Sequence, residues 1–222
     1  MEDAKLQPDR RDFLGLAAAA AAVGIGATLP LATSEAAEAT ASTDFTRWLD
    51  SIPGKHRVVL DVREPNDGMA IAWAWVYLFT APQAYGVKEN ELGTVMVLRH
   101  NAIPIALEDA AWRKYKLGEY FKITDPKTKV AALRNPYYLT PVDSSVEDMT
   151  LKHHIDRGVK VAACDMAIHY YSGQIAQQMG LKHEDVKKDW NEALLPGIQH
   201  APSGVVAVQG AGAHGCSYVF AG

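Results

Sequence analysis

Short β-branched runs alternate with helical segments along most of this chain, and few folds accept that alternation. "RVVLDV" (Arg57–Val62), "GTVMVLRH" (Gly93–His100), Val159–Ala163, "IQHAP" and "CSYVF" read as five strands. Parallel strands need a crossover between them, and a sheet covered on both faces needs near-continuous apolar strands. The expected fold is therefore α/β: a five-stranded, mostly parallel sheet with helices on both faces. "MAIAWAWVYLFTAP" is a helix apolar on every side, so it should be buried between the sheet and something else. Asp67 is placed to cap it. "IPIALEDAAWRKYKLG" gives a helix with Pro104 in its first turn. "DSSVEDMTLKHHIDRG" restarts helix with capping-box spacing at Ser144 and Glu147, and puts His153 and His154 on a solvated face. "SGVVAVQGAGAHG" is ambiguous between strand and helix; the need for a crossover, and Ser203 as an N-cap, favour helix. Gly118 to Thr140 has no sustained period and reads as part of a long insertion, about 118–145, suited to a lid or an oligomer contact.

The N-terminus carries "DRRDFLGLAAAAAAVGIGATLPLA", in which Arg10, Arg11, Phe13 and Leu14 match the core of a twin-arginine signal. Residues 1–41 are expected to be a cleaved signal and tether, with residues 37–50, polar and rich in Ala and Thr, reading as the tether. A single α/β domain follows over 45–222, in a periplasmic or otherwise exported location. The alternative is a membrane anchor, but Leu16–Ala32 is short and rich in Ala and Gly, so no span is expected after cleavage. Residues 1–41 hold three basic and six acidic side chains, so their removal takes the net charge from −4 to −1. A near-neutral domain without a basic cluster has no electrostatic footprint for nucleic acid.

"GAGAHG" satisfies G-x-G-x-x-G, but only seven residues follow Gly215. Neither the helix nor the acidic residue of a dinucleotide site fits there, so the match is accidental.

From Lys152 to Phe220 the order of features resembles the DsrE/F-like sulfur-relay family. "RGVKVAAC", a helix, an acidic amphipathic helix, "LLPGIQHAPSGVV" and "GCSYVF" follow one another as they do there. The resemblance covers about 70 residues well, and the 118–145 insertion is longer than the family usually carries. It implies a five-stranded parallel sheet, symmetric homo-oligomers (trimers or hexamers), and a persulfide on the cysteine that ends the third strand, here Cys164.

The position of Cys164 has a chemistry of its own. At a strand end and a helix N-terminus, free backbone N–H groups and the helix dipole favour thiolate, which carries sulfur and ligates metals. Asp165 adds opposing negative charge, and His169 reaches the cleft only if the helix begins late. A free cysteine is also commonly an inert buried hydrophobe. His100 ends the second strand on the same edge, and Asp61 and Glu64 lie at the end of the first, where α/β ligand sites form.

The leading expectation is a handler of a small sulfur species through Cys164, with His100, Asp61, Asp165 and His169 around the ligand. The alternatives are a non-enzymatic binding module for a metal, haem or small organic ligand on His100 and Asp61, and a structural oligomer accessory to a redox enzyme. No motif names a cofactor or a metal site. Cys216 begins the last strand, so a parallel sheet puts it at the opposite edge from Cys164, beyond the ~7 Å that a disulfide tolerates.

Overall fold

A computed structural model describes residues 43–222 of the chain. The signal and the start of the tether lie outside the described residues. The sheet has five strands, all parallel, in the order β4-β3-β2-β1-β5. They are β1 (His56–Val62), β2 (Leu92–Leu98), β3 (Lys160–Cys164), β4 (Ile198–Ala201) and β5 (Cys216–Phe220). The α/β expectation therefore holds.

Side-chain alternation divides each strand between two cores. Val59, Val95, Val97 and Ala162 face a smaller core with α1 (residues 43–50) and α8 (Gly204–Ala213). Leu60, Met96, Leu98 and Val161 face a larger one with α2 (Met69–Tyr85), α6 (Asp165–Met179) and α7 (His183–Glu192). Among the described residues, no helix is long and apolar enough to cross a membrane.

The ambiguous segment is helix α8, and Ser203 caps it: its Oγ accepts from the Val206 N–H at 3.2 Å. Ser203→Ala should lower stability by about 1 kcal/mol, read as a shift in the urea midpoint at unchanged slope.

Several local expectations give way. The supposed tether ends in helix, because Phe45 and Leu49 bury themselves against the sheet. Asp67 does not cap α2. Asn66 and Asp67 take left-handed conformations (φ 40° and 49°), so "NDG" is spent on a turn and α2 starts uncapped after Gly68. α2 buries Ile71, Ala74 and Leu78 but leaves Val76, Phe79 and Tyr85 exposed, so its apolar outer face has no cover among the described residues. The helix expected from Pro104 is broken. His100–Ala106 forms a 3-10 turn, Leu107 is extended and bridges Leu194, and α3 runs only over Asp109–Lys114.

Ser144 and Glu147 form no capping box. Asp143 Oδ1 accepts from both the N–H and the hydroxyl of Ser145, a local turn that competes with helix. Helix resumes only at α5 (Leu151–Asp156), capped by Thr150, whose Oγ1 accepts from the His153 N–H at 3.0 Å. His154 is fully buried, not solvated. The insertion also contains a short helix α4 (Leu117–Tyr120) and is tied down by buried polar groups. Asp125 accepts from the Lys127 and Thr128 N–H groups and from Arg134, and Asn135 donates to the Ile105 and Leu107 carbonyls.

Candidate functional site

The C-terminal edge of the sheet collects most of the polar chemistry. Leu98 pairs with Ala163 and Val62 pairs with Leu98, so Arg63, Arg99 and Cys164 stand one step further along three adjacent strands. Cys164 is both the last residue of β3 and the N-cap of α6, because the helix starts immediately after the strand. Its Sγ accepts from the Ala167 N–H at 3.3 Å and the residue is only 6% exposed. That amide is one of the free donors at a helix start, and it is directed at the sulfur.

Arg99 is held by Asp61. Its Nε donates to Asp61 Oδ1 at 2.6 Å and its Nη2 to Oδ2 at 2.8 Å, while Tyr218 Oη donates to Oδ2 at 2.9 Å. Burial pushes the Asp61 carboxyl up, but the hydrogen bonds from Arg99 and Tyr218 and the arginine charges outweigh it and hold the group below its ordinary range. Arg99 itself is shifted up, first by the hydrogen bond to Asp61 and also by that carboxylate's charge, against the opposing effect of burial. Gly204 allows this approach: a Cβ there would lie 2.6 Å from the Arg99 side chain.

The other side of the edge is a chain of hydrogen bonds. Tyr171 Oη donates to Asn101 Oδ1 at 2.5 Å, and Asn101 Nδ2 donates to Glu64 Oε2 at 2.8 Å. Glu64 Oε1 lies 3.5 Å from His100 Nδ1, and His100 meets the Tyr171 ring edge-on. His100 is in the left-handed region at φ 52°, a conformation uncommon outside glycine. Burial lowers its pKa most, Glu64 opposes this, and Arg63 and Arg99 add to the lowering, so the ring is neutral at pH 7. Burial and the neighbouring tyrosines push Tyr171 up, so its hydroxyl remains a donor.

The five residues singled out from the sequence thus separate. Cys164, His100 and Asp61 share the C-terminal edge, although Asp61 is 2% exposed and committed to Arg99 and Tyr218. Asp165 turns to α7, 3.4 Å from Lys187 Nζ. His169 lies against His183 with ring centroids 4.6 Å apart, because α6 begins directly at Asp165 and carries position 169 towards α7.

Arg63, Arg99, Asn101 and Tyr171 were not among the candidates. Arg63 and Arg99 were legible as charges immediately beyond apolar strands; Asn101 and Tyr171 carry no such signal. Cys164 and Cys216 are both free thiols at opposite edges: Cys216 pairs with Arg57 at the start of β1. Among the described residues, no three His, Cys, Asp or Glu side chains are grouped to hold a metal ion.

Comparisons with protein-family models, with curated proteins and with solved structures found no match.

Proposed function

We propose that the chain is an exported sulfur carrier that holds sulfane sulfur as a persulfide on Cys164. The observation that carries this reading is the Ala167 N–H directed at Sγ, at the end of β3 and level with Arg99 on the neighbouring strand. A helix N-terminus stabilises negative charge on sulfur. In the loading step the Cys164 thiolate attacks the outer sulfur of a persulfide donor. The donor's S–S bond breaks, a new S–S bond forms on Cys164, and the donor leaves as a thiolate. Delivery is the same exchange with an acceptor thiolate. Asp61 fixes Arg99 at this edge as a bidentate pair, and neutral His100 offers a hydrogen bond to the bound group.

Incubation with inorganic polysulfide tests the reading. Peptide mass spectrometry should find one added sulfur on the Cys164 peptide, none on the Cys216 peptide, and none in Cys164→Ser. Burial pushes the Cys216 thiol up, so it should stay unloaded at pH 7. Loading at Cys216 instead, or at neither cysteine, would end the proposal.

Two further observations bear on the alternatives. Arg63 has a buried Nε with no hydrogen-bond partner at the same edge, which favours a small polar ligand if Cys164 proves inert. The exposed apolar outer faces of α2 and β5, including Phe79 and Phe220, favour a symmetric homo-oligomer.

A further inference from the structure

Within the insertion, residues 123–132 form a hairpin whose polar and apolar sides are reversed. Thr124 bridges Ala131, the Asp125 N–H donates to the Val130 carbonyl at 2.8 Å, and the Ala132 N–H donates to the Ile123 carbonyl at 2.9 Å. Alternation turns Ile123, Asp125 and Ala132 inward. The Asp125 carboxylate closes the tip by accepting from the N–H groups of Lys127 and Thr128, and Arg134 Nε donates to it at 2.8 Å. Arg134 Nη1 in turn donates to Thr140 Oγ1 at 2.8 Å. Aliphatic side chains are left outside this network. Val130 is 62% exposed, Leu133 58% and Leu139, next to Thr140, 68%: three of the four most exposed large apolar residues among those described. The buried polar groups therefore hold an apolar surface in water.

The charge on this surface has one sign. Residues 120–142 hold Lys122, Lys127, Lys129 and Arg134 against a single acid, Asp125. Asp125 cancels Arg134, while the three lysines are exposed and their side chains have no hydrogen bond or ion pair among the described residues. Three unopposed positive charges stand out in a chain of net charge −4. Aliphatic groups set among lysines suit a lipid surface: the ammonium groups reach phosphate, the lysine stems lie along apolar matter, and the aliphatic groups enter the acyl boundary. A second copy would set lysine against lysine. Protein interfaces are dominated by aromatic and arginine anchors, but residues 122–133 hold no aromatic side chain and Arg134 is already engaged.

We propose that this hairpin docks the protein on the surface of an anionic lipid bilayer, with Lys122, Lys127 and Lys129 at the lipid phosphates and Val130, Leu133 and Leu139 in the acyl boundary. The docking does not depend on the chemistry of Cys164.

Co-sedimentation of the full chain with vesicles tests this. Binding should be strong to phosphatidylglycerol mixed equally with phosphatidylcholine, weak to phosphatidylcholine alone, and should fall as salt is raised. Lys127→Gln with Lys129→Gln should weaken binding to the anionic vesicles roughly thirtyfold, and Val130→Ser with Leu133→Ser about tenfold. Val205→Ser, which removes a comparably exposed aliphatic group from α8, should leave binding unchanged. Residues 1–42 are common to every variant, so differences between variants report the hairpin. The substituted side chains are exposed, so urea midpoints should match the wild type. Equal binding to both kinds of vesicle, or anionic-vesicle binding indifferent to either pair of substitutions, would overturn the proposal. Binding to poly-glutamate but not to vesicles would overturn it in favour of an acidic protein partner.

Discussion

Arg99→Leu is expected to destabilise the fold by about 3–5 kcal/mol at pH 7, a large share of the roughly 5–15 kcal/mol that holds a domain together. The reason is Asp61. The carboxylate is 2% exposed, and Arg99 provides two of its three side-chain hydrogen bonds and the charge that compensates it. Removing the arginine leaves a buried negative charge with the Tyr218 hydroxyl as its one remaining side-chain donor and only the more distant Arg63 charge to oppose it. Urea unfolding should show the midpoint fall at unchanged slope. Tyr218→Phe should lose only about 1 kcal/mol, because one neutral donor is missing while the charge pair stays. The double variant Asp61→Leu with Arg99→Leu should recover most of the loss, since neither charge is then stranded. The pH dependence has a definite sign. In the wild type the depressed Asp61 pKa contributes stability that is present above about pH 4 and lost as pH falls through the folded value. In Arg99→Leu the stranded carboxyl takes up a proton readily, so the difference between variant and wild type should shrink on acidification. A constant difference from pH 7 down to pH 3 would show that Asp61 is not the source.

Acidification of the wild type should remove about 3 kcal/mol of stability through His154 between pH 6.5 and pH 4. Its ring is fully buried; burial lowers its pKa to about 4, the Thr150 carbonyl opposes this at 2.7 Å from Nδ1, and Arg157 and His153 lower it further. A folded pKa below the unfolded one means that the unfolded chain binds more protons in that window, so stability rises with pH across it and is complete above about 6.5. His100, His169 and His200 are shifted the same way, chiefly by burial, and add to the slope from more exposed positions. His154→Leu should flatten most of the slope, whatever it does to stability at pH 7. An unchanged slope would assign the acid sensitivity elsewhere.

The fold was legible because its signals are local and repeated. β-branched runs such as "RVVLDV" announce buried parallel strands, and Ser203 announced α8 despite its valines. What failed were features decided by partners far along the chain. Leu107 is extended because it meets Leu194, and no window around Pro104 contains that information. His154 lies on a helix with polar neighbours, and its burial comes from tertiary packing around α5 that no periodicity discloses. The candidate site was half legible for the same reason. Cys164 ends β3 and His100 lies two residues beyond β2, in the 3-10 turn, so sequence pattern locates both near the same edge, whereas the commitment of Asp61 to Arg99 and Tyr218 depends on which strand lies beside β1.

That neighbour is β5, and it imposes an order on folding. Tyr218 and Asp61 are 157 residues apart in the chain, yet they belong to adjacent strands. β1 precedes the other four strands in the chain, and one of its edges stays open until β5 is free to pair with it. Closing so long a loop is entropically unfavourable, and contacts of such separation form slowly. Until then Asp61 lacks its tyrosine. A chain cut short before Cys216 would keep four of its strands but leave β1 as a bare edge, open to pairing with other chains. Completion of the sheet therefore waits on β5, however early β1 is made.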